Sequence, residues 1–225
     1  MTKLKWGGLV LLAGLFVPGV GGCDGGDSAD PDAGGDGAVE ADVPVDTEMD
    51  DSFGDEPIGP DGYPPGPYGV AVGDRMEDLA FRKIDDTTLW LHDIYADHSV
   101  KLLWIYASAG WCTACAAQSA AMPGMYDEFH PQGLEILGTI FEDGSAAPAS
   151  AFYAGSYARR YGWNFLAAAD ETFELGRYFD RAATPLNMLV DLTDMTIVVL
   201  ETGWGEAAFR SAIATNLSRI ADRTP

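Results

Sequence analysis

Gly110-Trp111-Cys112-Thr113-Ala114-Cys115 follows directly on the apolar run Val100–Ala107 (Val-Lys-Leu-Leu-Trp-Ile-Tyr-Ala) and Ser108-Ala109. The run has the length and bulk of a strand buried on both faces, as in the middle of a parallel sheet. Behind the motif, Thr113–Phe129 is Ala-rich and reads as a helix, with Pro123 as a kink inside it. Two cysteines three residues apart at a helix start can face each other and bridge. The first sits at the positive end of the helix macrodipole, which lowers its thiol pKa, and the thiolate is the nucleophile. The second is placed to attack the resulting mixed disulfide and release product. Such an exchange needs no metal and no organic cofactor.

Other uses of the pair stand beside this one. Structural zinc takes about four protein ligands. The only further cysteine is Cys23, and His92, His98 and His130 show no ligand spacing. A static, purely structural disulfide is the other alternative. It differs in how readily it is reduced, since labile pairs are the strained and exposed ones.

Further out, alternation and turn signals give the rest of the folded part. Leu79–Ile84 and Thr88–Leu91 are short strands around Asp85-Asp86, and Leu134–Phe141 is a second buried strand. Ala149–Tyr161 has helical apolar spacing. Glu171–Phe179 reads as a short helix with Asp170 as its N-cap. Leu186–Asp191 and Thr196–Glu201 form a hairpin, and Gly205–Ala221 is an amphipathic helix on Phe209, Ile213, Leu217 and Ile220. Strands and helices that alternate first and end in a hairpin predict an α/β fold, a central mixed β-sheet flanked by helices.

The chain has 225 residues, of which 47% are hydrophobic, enough for a real core. Its 13 basic and 35 acidic residues give a net charge of −22. That balance argues against a sequence-independent hold on nucleic acid and against binding anionic lipid by charge. The charge is unevenly spread. Asp24–Asp61 holds 14 acidic residues and no basic one, among Gly, Pro and Ala. This composition cannot offset chain entropy by burial and predicts a disordered, self-repelling tether over 23–62. Residues 63–225 keep 21 acids and 11 bases, an ordinary balance for a soluble domain.

Residues 1–22 read as an export signal. Lys3 and Lys5 precede an apolar run from Trp6 to Val20, shorter than the ~20 residues a spanning helix needs. Val20-Gly21-Gly22-Cys23 resembles the bacterial lipobox. The resemblance implies cleavage before Cys23 and lipid on its thiol and new amino terminus. Several acyl chains anchor durably where a single one does not. The membrane would then be reached through lipid, inner or outer, with the domain facing the periplasm.

The motif Trp111-Cys112-Thr113-Ala114-Cys115, taken with Ala183-Thr184-Pro185 about 70 residues later, resembles the thioredoxin fold. The lead-in Tyr68–Asp74, the run Lys101–Trp111 and the insertion between Phe141 and Ala168 resemble the membrane-tethered TlpA/ResA-like thioredoxins and the neighbouring peroxiredoxin-like (AhpC/TSA) group. The likeness spans roughly 68 to 222. It implies a thioredoxin-like domain over 63–225 that acts as a thiol–disulfide oxidoreductase on envelope proteins. Cys112 would be the nucleophile and Cys115 the resolving thiol. Pro185 would be cis, packed on the disulfide, and Thr184 would offer backbone groups to a bound substrate chain. Trp111 would shield one side of the thiol and offer an apolar platform to substrate.

The sequence departs from this pattern in three places. Thioredoxins carry a buried Asp six residues before the first cysteine as proton acceptor, where this chain has Tyr106, a far weaker acid. Thr113-Ala114 replaces a common Pro, and neutral Gln118 stands where some relatives have Glu. Glu135, Glu142 and Asp143 lie near strand ends and are available as substitutes, although plain surface is the simpler reading of each. Three other functions compete. A thiol peroxidase carries Thr or Ser three residues before its cysteine, where this chain has Ala109 with Ser108 one place off. A copper-handling relative of the Sco kind has three residues between its cysteines and a later His, and there is no His after His130. The last is a non-catalytic binding module.

Overall fold

The computed structural model describes residues 59–223. The expected export signal, Cys23 and the expected tether up to 58 lie outside the described residues. Within 59–223, strands β1 (Ala80–Lys83), β2 (Thr88–Trp90), β3 (Leu102–Ala109), β4 (Leu134–Glu142), β5 (Leu166–Ala169), β6 (Leu186–Asp191) and β7 (Thr196–Thr202) make one mixed sheet. Helices α1 (Leu91–Tyr95), α2 (Thr113–Phe129), α3 (Ala151–Tyr161) and α4 (Glu206–Arg223) lie between or after them. The strand order is β2-β1-β5-β4-β3-β6-β7. β3, β4 and β5 are parallel, and every other pairing is antiparallel.

β3 lies between β4 and β6, and all eight of its residues are buried. A strand with helices or loops on both faces must be apolar throughout, which is why Val100–Ala107 shows no alternation. Its side chains still alternate in direction. Trp104 stacks on Trp204 and packs at a tilt against Phe209, with ring centroids 6.1 and 4.6 Å away. Tyr106 meets Ser119 of α2, and Ser108 meets Tyr157 of α3. These three residues put α2, α3 and the start of α4 on one face. On β4, Phe141 packs against Phe173 and Phe179. The apolar stripe of α4 (Phe209, Ile213, Leu217, Ile220) is buried, as its spacing predicts.

Four expectations need correction. β5 was not foreseen: Leu166-Ala-Ala-Ala169 lacks the β-branched and aromatic residues of a strand, and its pairing with β4 and β1 makes it one. The helix expected over Glu171–Phe179 is one short 3-10 turn, Glu174–Arg177. The N-cap is Phe173, left-handed at φ 58°, and not Asp170 as expected, although the Asp170 carboxylate accepts from the first-turn N–H groups of Glu174 (2.7 Å) and Leu175 (3.1 Å). Leu91, expected to end β2, opens α1. A 3-10 turn at Pro60–Gly62, inside the expected tether, precedes the buried Tyr63. α2 continues through Pro123.

Candidate active site

The carboxyl end of β3 runs through Gly110-Trp111 into Cys112, the N-cap of α2, so the central strand delivers the first cysteine to a helix start. Cys112 is extended (φ −83°, ψ 112°), and its Sγ accepts from the Cys115 N–H at 3.0 Å. Cys112 and Cys115 are joined as a disulfide with Cα atoms 5.2 Å apart. Once reduced, Cys112 would keep that N–H and the helix dipole, both of which favour its thiolate. Cys112 is 7% exposed and Cys115 fully buried, so an incoming sulfur meets Cys112 first.

The loop before β6 closes the other side. The Thr184–Pro185 peptide bond is cis. The Thr184 carbonyl oxygen lies 4.0 Å from Cys112 Sγ, and the Thr184 hydroxyl lies 3.8 Å from Cys115 Sγ. That hydroxyl also donates to the Ala107 carbonyl at 3.4 Å, which ties the loop to β3. Trp111, 41% exposed, stands beside the pair. The structure therefore brings Trp111, Cys112, Cys115, Thr184 and Pro185 together. Cys23 lies outside the described residues.

Two of the positions that depart from the thioredoxin pattern, Tyr106 and Gln118, are buried and structural, whereas Thr113 and Ala114 are exposed. Tyr106 is fully buried, and its hydroxyl donates to the Cys115 carbonyl at 2.9 Å, with Ser119 Oγ 3.1 Å away. Burial pushes its pKa far upward, so it braces the first turn of α2 as a donor and takes no proton near neutral pH. Gln118 is buried and exchanges amide hydrogen bonds with Asn187: Gln118 donates to Asn187 Oδ1 at 2.5 Å, and Asn187 donates back at 3.3 Å. Asn187 Oδ1 also accepts from the Trp104 indole at 3.0 Å, fastening α2 to β6 and β3. Ser108 is buried and aims its hydroxyl at Tyr157, 3.3 Å away.

The three carboxylates separate cleanly. Glu135 pairs with Leu103, near the opposite end of the strands from Glu142, which pairs with Ala109. Seven residues of strand are about 23 Å, which removes Glu135 from the site. Its pKa is raised chiefly by burial, and it accepts from the Tyr126 hydroxyl at 3.2 Å. Asp143 closes a turn by accepting from the N–H groups of Ser145 and Ala147. Glu142 is not surface, contrary to its simpler reading: it is 5% exposed. One carboxylate oxygen accepts from the Trp111 indole N–H at 2.7 Å, and the other accepts from Arg181. The Arg181 guanidinium lies over the Phe173 ring, 4.6 Å from its centroid, and near Phe141 at 5.9 Å. No pattern in the sequence pointed to Arg181. The only cue to Glu142 was an acid directly after the apolar run Ile140-Phe141 at the end of a strand.

No protein-family model and no curated protein matches the chain. Solved structures do. An uncharacterized conserved protein from Geobacillus kaustophilus aligns with a TM-score of 0.56 at 18% identity, over 67% of this chain and 84% of that one. A thiol:disulfide interchange protein from a Bacteroides species aligns with a TM-score of 0.53 at 14% identity, over 66% and 91%. The thioredoxin domain of a thiol-disulfide oxidoreductase from Bacteroides vulgatus aligns with a TM-score of 0.52 at 14% identity, over 65% and 99%. Likeness at these identities establishes the fold, and the chain has the thioredoxin fold.

Proposed function

We propose that the protein is a cell-envelope thiol–disulfide oxidoreductase acting on protein substrates. One observation carries the reading: the Cys112–Cys115 pair caps α2 with the more exposed sulfur foremost, facing the cis Thr184–Pro185 bond. The thioredoxin fold shared with the two named thiol–disulfide proteins supports it.

In the reducing direction, the Cys112 thiolate attacks one sulfur of a substrate disulfide. A mixed disulfide forms, and the other substrate sulfur leaves as a thiolate that takes a proton. Cys115 then loses its proton and attacks Cys112 Sγ, releasing the second substrate thiol. The substrate gains two electrons and two protons, and the protein ends with the Cys112–Cys115 disulfide. An upstream thiol reductant resets it. The oxidising direction runs the same steps in reverse. Thr184 presents backbone to the substrate chain, Pro185 shapes the loop, and Trp111 supplies an apolar wall.

The signal peptide, a lipid on Cys23 and the acidic tether complete the reading as an anchored protein whose domain works in the periplasm. Among the described residues no helix is long and apolar enough to cross a membrane. Incorporation of radiolabelled fatty acid should require Cys23.

The test of activity is reduction of a protein disulfide by the full chain in a thiol buffer. Cys112→Ser should abolish turnover, and Cys115→Ser should trap a mixed disulfide on Cys112. Full activity in Cys112→Ser would end the assignment. The reduction potential then sets direction. A value of about −250 mV or lower marks a reductant, and about −120 to −180 mV an oxidant or isomerase.

A further inference from the structure

We infer that Glu142 and Arg181 form a clamp that holds Trp111 in place as a wall of the groove for the substrate polypeptide, making both of them positioning residues. The inference rests on the exchange reading of Cys112 and Cys115 and adds to it how the groove keeps its shape.

The groove is bounded by two separate loops. One carries Trp111 out of β3. The other runs through Arg181 to Thr184–Pro185 and into β6. Glu142, at the end of β4, touches both: one oxygen takes the Trp111 indole proton and the other takes Arg181. A single buried carboxylate therefore joins the two walls.

Each part suits that task. A buried carboxylate needs a charge partner and full hydrogen bonding, and this one has a guanidinium and an indole N–H. Its charge strengthens the bond to the indole beyond a neutral pair. Arg181 is itself fixed by stacking over Phe173, although half of its side chain is open to solvent. An indole 41% exposed has little packing on its open side, so its orientation depends on the hydrogen bond at its nitrogen. The backbone nearby is equally tight. A Cβ on Gly110 would come 2.7 Å from the Gly144 nitrogen, so the turn after Glu142 lies directly on the turn before Trp111.

The clamp acts on binding, so its loss should appear in KM with kcat little changed. The full chain carrying Glu142→Gln keeps an acceptor but loses the charge, and Arg181→Met leaves the carboxylate without its cation. Each should raise KM for a protein disulfide by about tenfold to a hundredfold, the range of one charge-assisted hydrogen bond. The reduction potential of the Cys112–Cys115 pair should hold. In a 1H–15N spectrum, the indole resonance lost in Trp111→Phe should exchange with water at least about tenfold faster in both variants. Unchanged indole exchange and unchanged KM in folded variants would overturn the clamp. A fall in kcat with KM constant would overturn it as well. Arg181→Met, changing a half-exposed side chain, serves if Glu142→Gln does not fold. Because indole exchange needs no turnover, the clamp is read even if the wild type proves inactive, and the two ideas fail separately.

Discussion

Tyr106→Phe separates support from proton chemistry at the position where thioredoxins place a buried acid. The phenyl ring fits the same space, so no cavity opens and its edge contact with Trp163, centroids 5.9 Å apart, survives. Two hydrogen-bonding relations disappear, to the Cys115 carbonyl at 2.9 Å and to Ser119 Oγ at 3.1 Å. Ser119 keeps Tyr157 at 3.2 Å, so only the Cys115 carbonyl loses a partner without a substitute among side chains. The net loss is then close to one buried hydrogen bond, about 1–1.5 kcal/mol. For a domain of this size that is a fall in Tm of roughly 2–6 °C. Tyr106→Asp, which restores the acid, should cost far more. It deletes a fully buried ring, worth about 3–5 kcal/mol by comparison with Phe→Ala changes, and it buries a carboxylate. Urea unfolding of the oxidised protein measures both. The pH dependence of exchange should be the same in Tyr106→Phe as in the wild type, because burial holds the phenol protonated across the working range. A lost or displaced alkaline limb in Tyr106→Phe would refute the bracing role. So would a stability loss equal to that of Tyr106→Asp.

Gly110→Ala should cost about 1–3 kcal/mol of stability by overpacking. The new Cβ would overlap Tyr153 Oη and come 2.7 Å from Gly144 N and 2.8 Å from Asp143 C. Two of those neighbours are backbone, so adding Tyr153→Phe should recover only part of the loss, and full recovery would contradict this packing. Asp78→Asn tests a pH-linked contribution, because the 2.7 Å hydrogen bond between His92 Nδ1 and Asp78 raises the histidine pKa. A group with a raised folded pKa contributes fully below its unfolded value, near 6.5, and the contribution fades as pH rises through the folded value. The variant should therefore lose about 1 kcal/mol more stability at about pH 5.5 than at about pH 9. Equal losses in urea unfolding at the two pH values would remove the linkage.

Much of the fold was legible because local physics announces it. A doubly buried strand reads as the unbroken apolar run before Gly110. The helix behind it reads as the Ala-rich stretch from Thr113, and α4 reads as the 3–4 spacing of Phe209, Ile213, Leu217 and Ile220. β5 was illegible for the opposite reason. Leu166–Ala169 has no intrinsic preference for a strand, and only β4 and β1 on either side impose one. The short helix after Asp170 failed because one left-handed residue, Phe173, interrupts a stretch whose composition is compatible with helix.

The site divides along the same line. Cys112 and Cys115 belong to one helix start, and their spacing alone places them within bridging distance. Trp111 comes with them as a chain neighbour. The partners of that turn come from far along the chain: the Ala183-Thr184-Pro185 resemblance pointed to one of them, and no local pattern joins Glu142 or Arg181 to Trp111. Thr184 faces Cys112 across 72 residues, Glu142 meets the Trp111 indole across 31, and Arg181 reaches Glu142 across 39. Spacing along the chain therefore determined the redox pair. Only the parallel β3–β4 pairing and the antiparallel β3–β6 pairing, which bring three strand ends to one place, decided what surrounds it.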